Sequence, residues 1–314
     1  MSEKDFSALE REIIEYLNNA TKTNEQLKFK NNGSIEYVEF AGKPTVKDGE
    51  PKTDVYALLK NQEGKETELK ISVKKRNADF LENKTNAIRA REILGDNWET
   101  IIEKATRSIQ RKFENKYIVY FDNDGKVEAG SITLGWKFEL LNKKSGELSG
   151  KIDLTKEQKV DVFSGTNLPL EKKDAHVNNH LIKNSGVADY ILVADNGEIQ
   201  NAQQVLEFIE PINEYVDGMD LYFACKALNY RSLYKKQNGK YGKYDGNRPL
   251  AVFIKWSVKD GKLSGELVFG EPLKHGGDYA YENLISALNE LGVKNTNDLT
   301  PEKIDARCFS KKEK

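Results

Sequence analysis

The chain is poor in the residues that mark whole classes of protein. Among 314 residues there are two cysteines, Cys225 and Cys308, three histidines and seven prolines. Two distant cysteines with no C-x-x-C companion exclude a disulfide framework and a cysteine-rich zinc site, and are read as reduced thiols. No run approaches the roughly 18 consecutive apolar residues of a membrane span. The start, MSEKDF, is charged where a secretion signal would be apolar, so a cytoplasmic protein with no membrane partner is expected. There is no phosphate-cradling glycine loop, dinucleotide fingerprint or nucleophile elbow, and hence no expected nucleotide cofactor. His176 and His180, in HVNNH, stand four apart but lack the glutamate of a zinc-binding HExxH and any evident third ligand, so they are read as ordinary polar residues.

What is abundant is charge. Charged residues make up 32% of the chain against 38% apolar, which demands a densely charged surface, and the near balance leaves a net charge of −1. That average hides asymmetry. Between Leu221 and Lys262 lie ten Lys or Arg and two acids, a local charge of +8, interleaved with aromatic residues. Such a segment suits a surface that tracks phosphates. Arg231, Lys235, Lys236, Lys240, Lys243, Asn247 and Arg248 are its candidate DNA contacts, with the arginines and Asn247 of types that read base edges. A solvated basic loop with aromatics buried for packing is the plain alternative. A second basic cluster begins at Lys74, Lys75 and Arg76 and continues through Lys84, Arg89, Arg91, Arg107, Arg111 and Lys112; though closely mixed with acids, it would flank the active site, with Lys75 and Arg76 as further candidate DNA contacts.

Periodicity supplies the elements. Phe6, Leu9, Ile13, Tyr16 and Leu17 fall on one helical stripe with Glu10 at its border. Strands are expected at 34–40, 53–60 and 67–74, helices at 79–94 and 97–113 with Asn97 as a cap, and strands at 117–121 and 130–141. Beyond residue 142 the pattern becomes shorter strands, at 188–194, 249–258 and 263–269, with helices at 202–208 and 279–291. This is an α/β (α+β) order, divided in expectation into a catalytic core at 1–141 and a DNA-recognition and dimerisation region at 142–314.

The chemistry is concentrated in the hairpin Pro51–Lys75, PKTDVYALLKNQEGKETELKISVKK. If Gln62-Glu63-Gly64 is a three-residue loop with Gly64 left-handed, facing residues have numbers that sum to 126. Asp54 then lies opposite Ser72 and diagonally beside Lys74, while Val55 meets Ile71 and Ala57 meets Leu69 on the other, apolar face. A carboxylate beside a lysine on adjacent strands suits phosphodiester hydrolysis: oxygen ligands hold a hard divalent cation, Mg²⁺ above all with Mn²⁺ as a substitute, and the lysine orients or deprotonates the attacking water. An ordinary charged edge hairpin, with Lys70, Lys74 and Lys75 as solvated residues, is the alternative.

The succession helix, strand, Asp-bearing strand, Lys-bearing strand, helix, with KTDVY followed by ISVKK, resembles the core of the PD-(D/E)xK nucleases and a run found in type II restriction enzymes. The resemblance covers roughly residues 1–120. It implies a restriction-endonuclease-like mixed central sheet flanked by helices, with a β-rich recognition lobe appended. It further implies that Asp54 and the carbonyl of Val73 are metal ligands, that Lys74 is the catalytic lysine, and that a homodimer cuts double-stranded DNA. The sequence departs from the motif at Ser72, where the family carries an acid; Glu10 or Glu39 is the candidate replacement. Glu68-Leu69-Lys70 matches the triplet literally, but Glu68 would face Leu58, on the order of 13 Å along the strand from Asp54 at about 3.3 Å per residue. Other substrates remain open: a structure-specific repair nuclease, a nucleic-acid-degrading toxin, or a DNA-binding protein without catalysis.

Overall fold

A computed structural model describes residues 6–29, 33–76, 80–82, 85–121, 127, 131–231, 243–294 and 298–311. The principal elements are, in chain order, α1 (Phe6–Thr23), β1 (Leu27–Lys28), β2 (Ile35–Gly42), β3 (Val55–Asn61), β4 (Glu66–Lys74), α2 (Trp98–Ser108), β5 (Ile132–Leu141), β6 (Ser149–Ile152), β7 (Tyr190–Val193), α3 (Ala202–Phe208), β8 (Ile209–Pro211), β9 (Leu221–Arg231), β10 (Lys243–Tyr244), β11 (Val252–Lys259), β12 (Lys262–Val268) and α4 (Gly277–Glu290). The fold is mixed α/β. None of the described helices is long and apolar enough to cross a membrane.

The chain forms two compact units. The first gathers residues 1–81, 91–95 and 154–219, and the second 82–90, 96–153 and 220–314. This differs from the division at 141/142 expected from sequence. Residues 154–219 return to the first unit because β7 adds itself in parallel to β4, pairing Ile191 with Ser72 and Leu192 with Val73.

The sheet of the first unit runs β1-β2-β3-β4-β7-β8, antiparallel except at β4–β7. The β3–β4 register is the one that alternation demands. Val55 pairs with Ile71, Ala57 with Leu69 and Leu58 with Glu68. Gly64 takes φ +82° in the connecting loop, and the Asn61 carboxamide oxygen accepts from the main-chain N–H groups of Glu63 and Lys65 at 3.0 and 2.9 Å. The apolar face so created is buried with α1 and α3: Leu9, Ile13 and Leu17 join Val55, Ala57, Leu59, Leu69, Ile71, Val205 and Leu206 in one core. Burial of each large aliphatic side chain contributes about 1.5–3 kcal/mol, which makes a one-residue slip of the hairpin prohibitive. Helix α1 stops where Asn24 turns left-handed, φ +50°, and the Glu25 N–H returns to the Ala20 carbonyl at 3.0 Å.

The second unit is built on an antiparallel sheet ordered β10-β9-β5-β11-β12, with β6 on β9. Nearly every residue of β5 is buried. Strands β5 and β11 approach so closely at Gly135 that a Cβ there would lie 2.6 Å from the Val252 carbonyl oxygen. Both cysteines are free and buried.

Two expected helices are shorter than their patterns. Helix begins only at Ala87 in the 79–94 segment, because Asn86 caps it, its side-chain oxygen accepting from the Arg89 N–H at 2.8 Å, while 80–82 is extended. The 97–113 segment breaks at Ile109 into α2 and a short helix Gln110–Glu114, and Asn97 makes no side-chain capping bond.

Candidate active site

The first unit carries a cleft of about 460 Å³ lined by Glu10, Lys43, Thr53, Asp54 and the loop between Lys43 and Thr53. Helix α1 presents Glu10 at the edge of its buried stripe, as its position between Leu9 and Ile13 requires. Asp54 stands one residue before β3, and its N–H donates to the Ile71 carbonyl at 2.8 Å in the last bond of the hairpin ladder.

Beyond that bond β4 continues without β3, and the Asp54 side chain takes the place of the missing strand. Its Oδ2 accepts from the Val73 N–H at 2.7 Å and the Ser72 hydroxyl at 3.3 Å, and lies 3.6 Å from Lys74 Nζ. Both main-chain groups of a strand residue point to the same side, so the Val73 carbonyl is directed toward this edge as well. The Asp54 and Lys74 side chains are 23% and 32% exposed, a pair partly shielded from water yet open to a ligand. Among the described donors, none engages Oδ1 of Asp54.

Across the cleft, Glu10 Oε2 accepts from Lys43 Nζ at 2.6 Å, with the Glu10 side chain 13% exposed. Burial raises the Glu10 pKa above the usual carboxylate range and the Asp54 charge adds to the rise, against the opposing pull of Lys43. Burial works against the Lys43 charge, but its hydrogen bond to Glu10 and the charges of Asp54 and Glu50 carry its pKa above the ordinary value. Thr53 is 1% exposed and its hydroxyl has no hydrogen-bond partner. Two mutually unfavourable carboxylates beside an unanswered hydroxyl form a surface that a cation with its water shell would satisfy.

The resemblance implies a divalent metal, and the residues present suit one of a particular kind. The available donors are oxygens: the Asp54 carboxylate, the Val73 carbonyl and Glu10. Among the described residues no group of three His, Cys, Asp or Glu side chains is placed to hold a metal ion. An oxygen set with few protein ligands fits Mg²⁺, which keeps several of its waters, and does not fit zinc.

The alternative triplet is not brought to this cleft. Glu68 accepts from the Tyr56 hydroxyl at 2.6 Å, and Lys70 pairs with Asp189 at 2.9 Å, so both serve the sheet away from Asp54. Glu39 is exposed at an irregularity in the β2–β3 register. His176 and His180 sit on a tight hairpin, not on one helical face, because Asn178 and Asn179 both take positive φ.

The basic residues meet varied fates. Arg76 is paired with Glu198, its Nε 3.0 Å from Oε2, whereas Lys75 follows the end of β4. In the second unit Arg231 Nε lies 2.5 Å from Asp245 Oδ1, and the Asn247 amide donates to Asp278 at 2.8 Å. Both side chains thus have partners within the protein while remaining exposed. Arg248 is exposed. Lys235, Lys236 and Lys240 lie outside the described residues, as does the side chain of Lys243, whose main chain pairs with Arg231 in β10.

Sequence reasoning missed Lys43 and Thr53. Lys43 belongs to the irregular segment before β3, where no periodicity assigns a direction to a side chain, and Thr53, expected inside a strand at 53–60, lies before β3 begins at Val55. Comparison of the chain with models of known protein families, with curated proteins and with solved structures finds no match in any of the three.

Proposed function

We propose that this protein is a Mg²⁺-dependent endonuclease of the restriction-endonuclease-like fold, which hydrolyses phosphodiester bonds of double-stranded DNA at a specific site as a homodimer. The observation that carries the reading is the grip of Val73 N–H, Ser72 and Lys74 on one oxygen of Asp54, at the edge where β4 outruns β3. The mixed sheet with α1 packed on it supports the same reading.

A bound divalent ion would neutralise charge on the reacting phosphate and acidify a coordinated water. Asp54, with the Val73 carbonyl and Glu10, would hold it. The hydrogen bonds to Asp54 Oδ2 hold that carboxylate's orientation and leave its other oxygen for the ligand. Lys74 orients the attacking water and offsets the negative charge that grows as the water oxygen bonds to phosphorus and the bond to the leaving sugar oxygen breaks. Ser72 replaces the family's acid with a hydroxyl that holds Asp54, so the second negative charge is supplied by Glu10 from α1. Mn²⁺, with the same preference for oxygen, is expected to substitute. Two copies would cut the two strands, and a two-fold protein matches a palindromic site.

A DNA-binding protein without catalysis is the competing reading, favoured by Ser72 and by the absence, among the described residues, of a third carboxylate grouped with Asp54 and Glu10. Digestion of plasmids of known sequence with Mg²⁺ separates the possibilities. Discrete bands support a site-specific nuclease. A smear, or cutting only at bulges and flaps, indicates a toxin or repair nuclease of the same chemistry, and salt-sensitive binding with no product indicates the competitor.

A further inference from the structure

The second unit holds a polar pocket of about 510 Å³, within the range of small-molecule sites, between the β5 residues Lys137 and Glu139, the segment Thr85–Asn86 and the loop Asn247–Pro249. Two of its walls are buried polar groups. Glu139 is 5% exposed near the C-terminal end of β5. Its Oε2 lies 2.8 Å from Lys226 Nζ on the neighbouring strand, an ion pair whose angles do not make a hydrogen bond. Thr85 is 7% exposed and its hydroxyl has no hydrogen-bond partner. The Thr85 hydroxyl is thus unanswered, while the Glu139 carboxylate, ion-paired through one oxygen, keeps lone pairs for further donors, and a ligand that brings donors to the one and an acceptor to the other suits the chamber.

The rim has the opposite character. Arg248 is exposed and Lys137 half-buried, and neither forms an ion pair with a described residue. The pocket therefore offers a carboxylate, ion-paired on one oxygen, and a hydroxyl at depth and two cations at its mouth. The complementary molecule carries adjacent N–H donors next to a carbonyl at one end and an anion at the other. A guanine nucleotide has that pattern: a ring N–H and an amino group side by side, a carbonyl beside them, and a phosphate beyond the sugar. Adenine presents no such pair beside a carbonyl, and thymine has one N–H between two carbonyls.

We propose that this pocket binds a single unpaired guanine nucleotide. Glu139 receives the ring N–H and the amino group, Thr85 donates to the neighbouring carbonyl, and Lys137 and Arg248 take the phosphate. Asn247, held by Asp278, shapes the mouth. The same chemistry has two sources, a free guanine nucleotide and a guanine turned out of a DNA stack; only the second rests on the nuclease reading.

The test is equilibrium binding to the full chain without divalent metal, so its outcome is independent of whether Asp54 and Lys74 cut anything. The probes are dGMP, dAMP, dCMP, TMP and inorganic phosphate, with two short duplexes, one fully paired and one carrying a single bulged guanine. Saturable binding of dGMP, about tenfold or more tighter than dAMP, is expected, with Glu139→Gln weakening it by a similar factor. Arg248→Ala, at an exposed position where folding is not at stake, lowers affinity and flattens its salt dependence. Preference for the bulged duplex that is lost in Glu139→Gln identifies DNA as the source, and dGMP binding without that preference identifies the free nucleotide. The proposal is overturned if inorganic phosphate competes as well as dGMP does, or if Glu139→Gln and Arg248→Ala both bind dGMP as the wild type does.

Discussion

Asp54→Asn is the substitution that most cleanly separates structure from chemistry at the proposed centre. The replacement keeps the shape of the side chain and an oxygen that can accept from the Val73 N–H, now 2.7 Å from Oδ2. What it removes is charge. The hydrogen bond weakens from a charge-assisted to a neutral one, a loss of about 1 kcal/mol. The partly exposed contact with Lys74 at 3.6 Å adds at most about 1 kcal/mol more. Removal of the repulsion on Glu10 acts in the opposite direction, so the variant is expected to fold with stability within about 1–2 kcal/mol of the wild type. Its response to Mg²⁺ should differ qualitatively. Mg²⁺ at roughly ten times its Kd stabilises a protein that binds it by about 1.4 kcal/mol, from the logarithmic dependence of stability on ligand concentration. For a cooperative body of 150–250 residues that is a rise in Tm of about 3–6 °C. Thermal unfolding followed by circular dichroism, with Mg²⁺ titrated against a Ca²⁺ and a NaCl control, should show the rise in wild type and none in Asp54→Asn. An equal rise in both proteins would mean that the ion does not bind at Asp54, and the reasoning from the hairpin edge would fail.

Other outcomes follow from the same geometry. The Glu10 pKa is raised, chiefly by burial and then by Asp54, so the folded state holds this proton more tightly than the unfolded chain does. Its contribution is favourable below the ordinary value of 4.5 and is lost as pH rises through the higher folded value. Glu10→Gln should therefore gain stability relative to wild type as pH rises across that window in urea titrations, and a constant difference between the two would contradict the assignment. Gly135→Ala places a Cβ 2.6 Å from the Val252 carbonyl oxygen and 2.9 Å from Phe253 Cα, both main-chain atoms that cannot swing aside. The second unit should lose about 1–3 kcal/mol, read from its denaturation midpoint.

The hairpin was legible because three independent local signals converge on one register: the alternation of Val55, Ala57, Leu69 and Ile71, the glycine at position 64, and the clustering of Asp54, Ser72 and Lys74 on the opposite side. The α1 stripe was legible for the same reason, since Leu9, Ile13 and Leu17 recur at helical spacing and are all buried. What could not be read depends on contacts between distant residues. The parallel docking of β7 on β4 joins positions about 120 apart in the chain, and no local pattern encodes it. Lys43 reaches Glu10 because of the path of an aperiodic loop, and Thr53 lines the cleft because the strand expected from 53 begins only at Val55. The partners of Arg231 and Asn247, Asp245 and Asp278, lie 14 and 31 positions away, and no local pattern pairs them. In the segment 79–94, apolar spacing suggested helix throughout, whereas 80–82 is extended and Asn86 caps a helix that starts at Ala87.

The central claim is that Asp54 and Lys74 together hydrolyse phosphodiester bonds, and single-turnover cleavage of plasmid DNA with Mg²⁺ tests it most directly. The wild type should cut, Lys74→Ala should be slowed by about 10²–10⁴-fold, and Asp54→Ala should show no metal-dependent product. Undiminished cutting by either variant, or no cutting by wild type on DNA from any source, would contradict it.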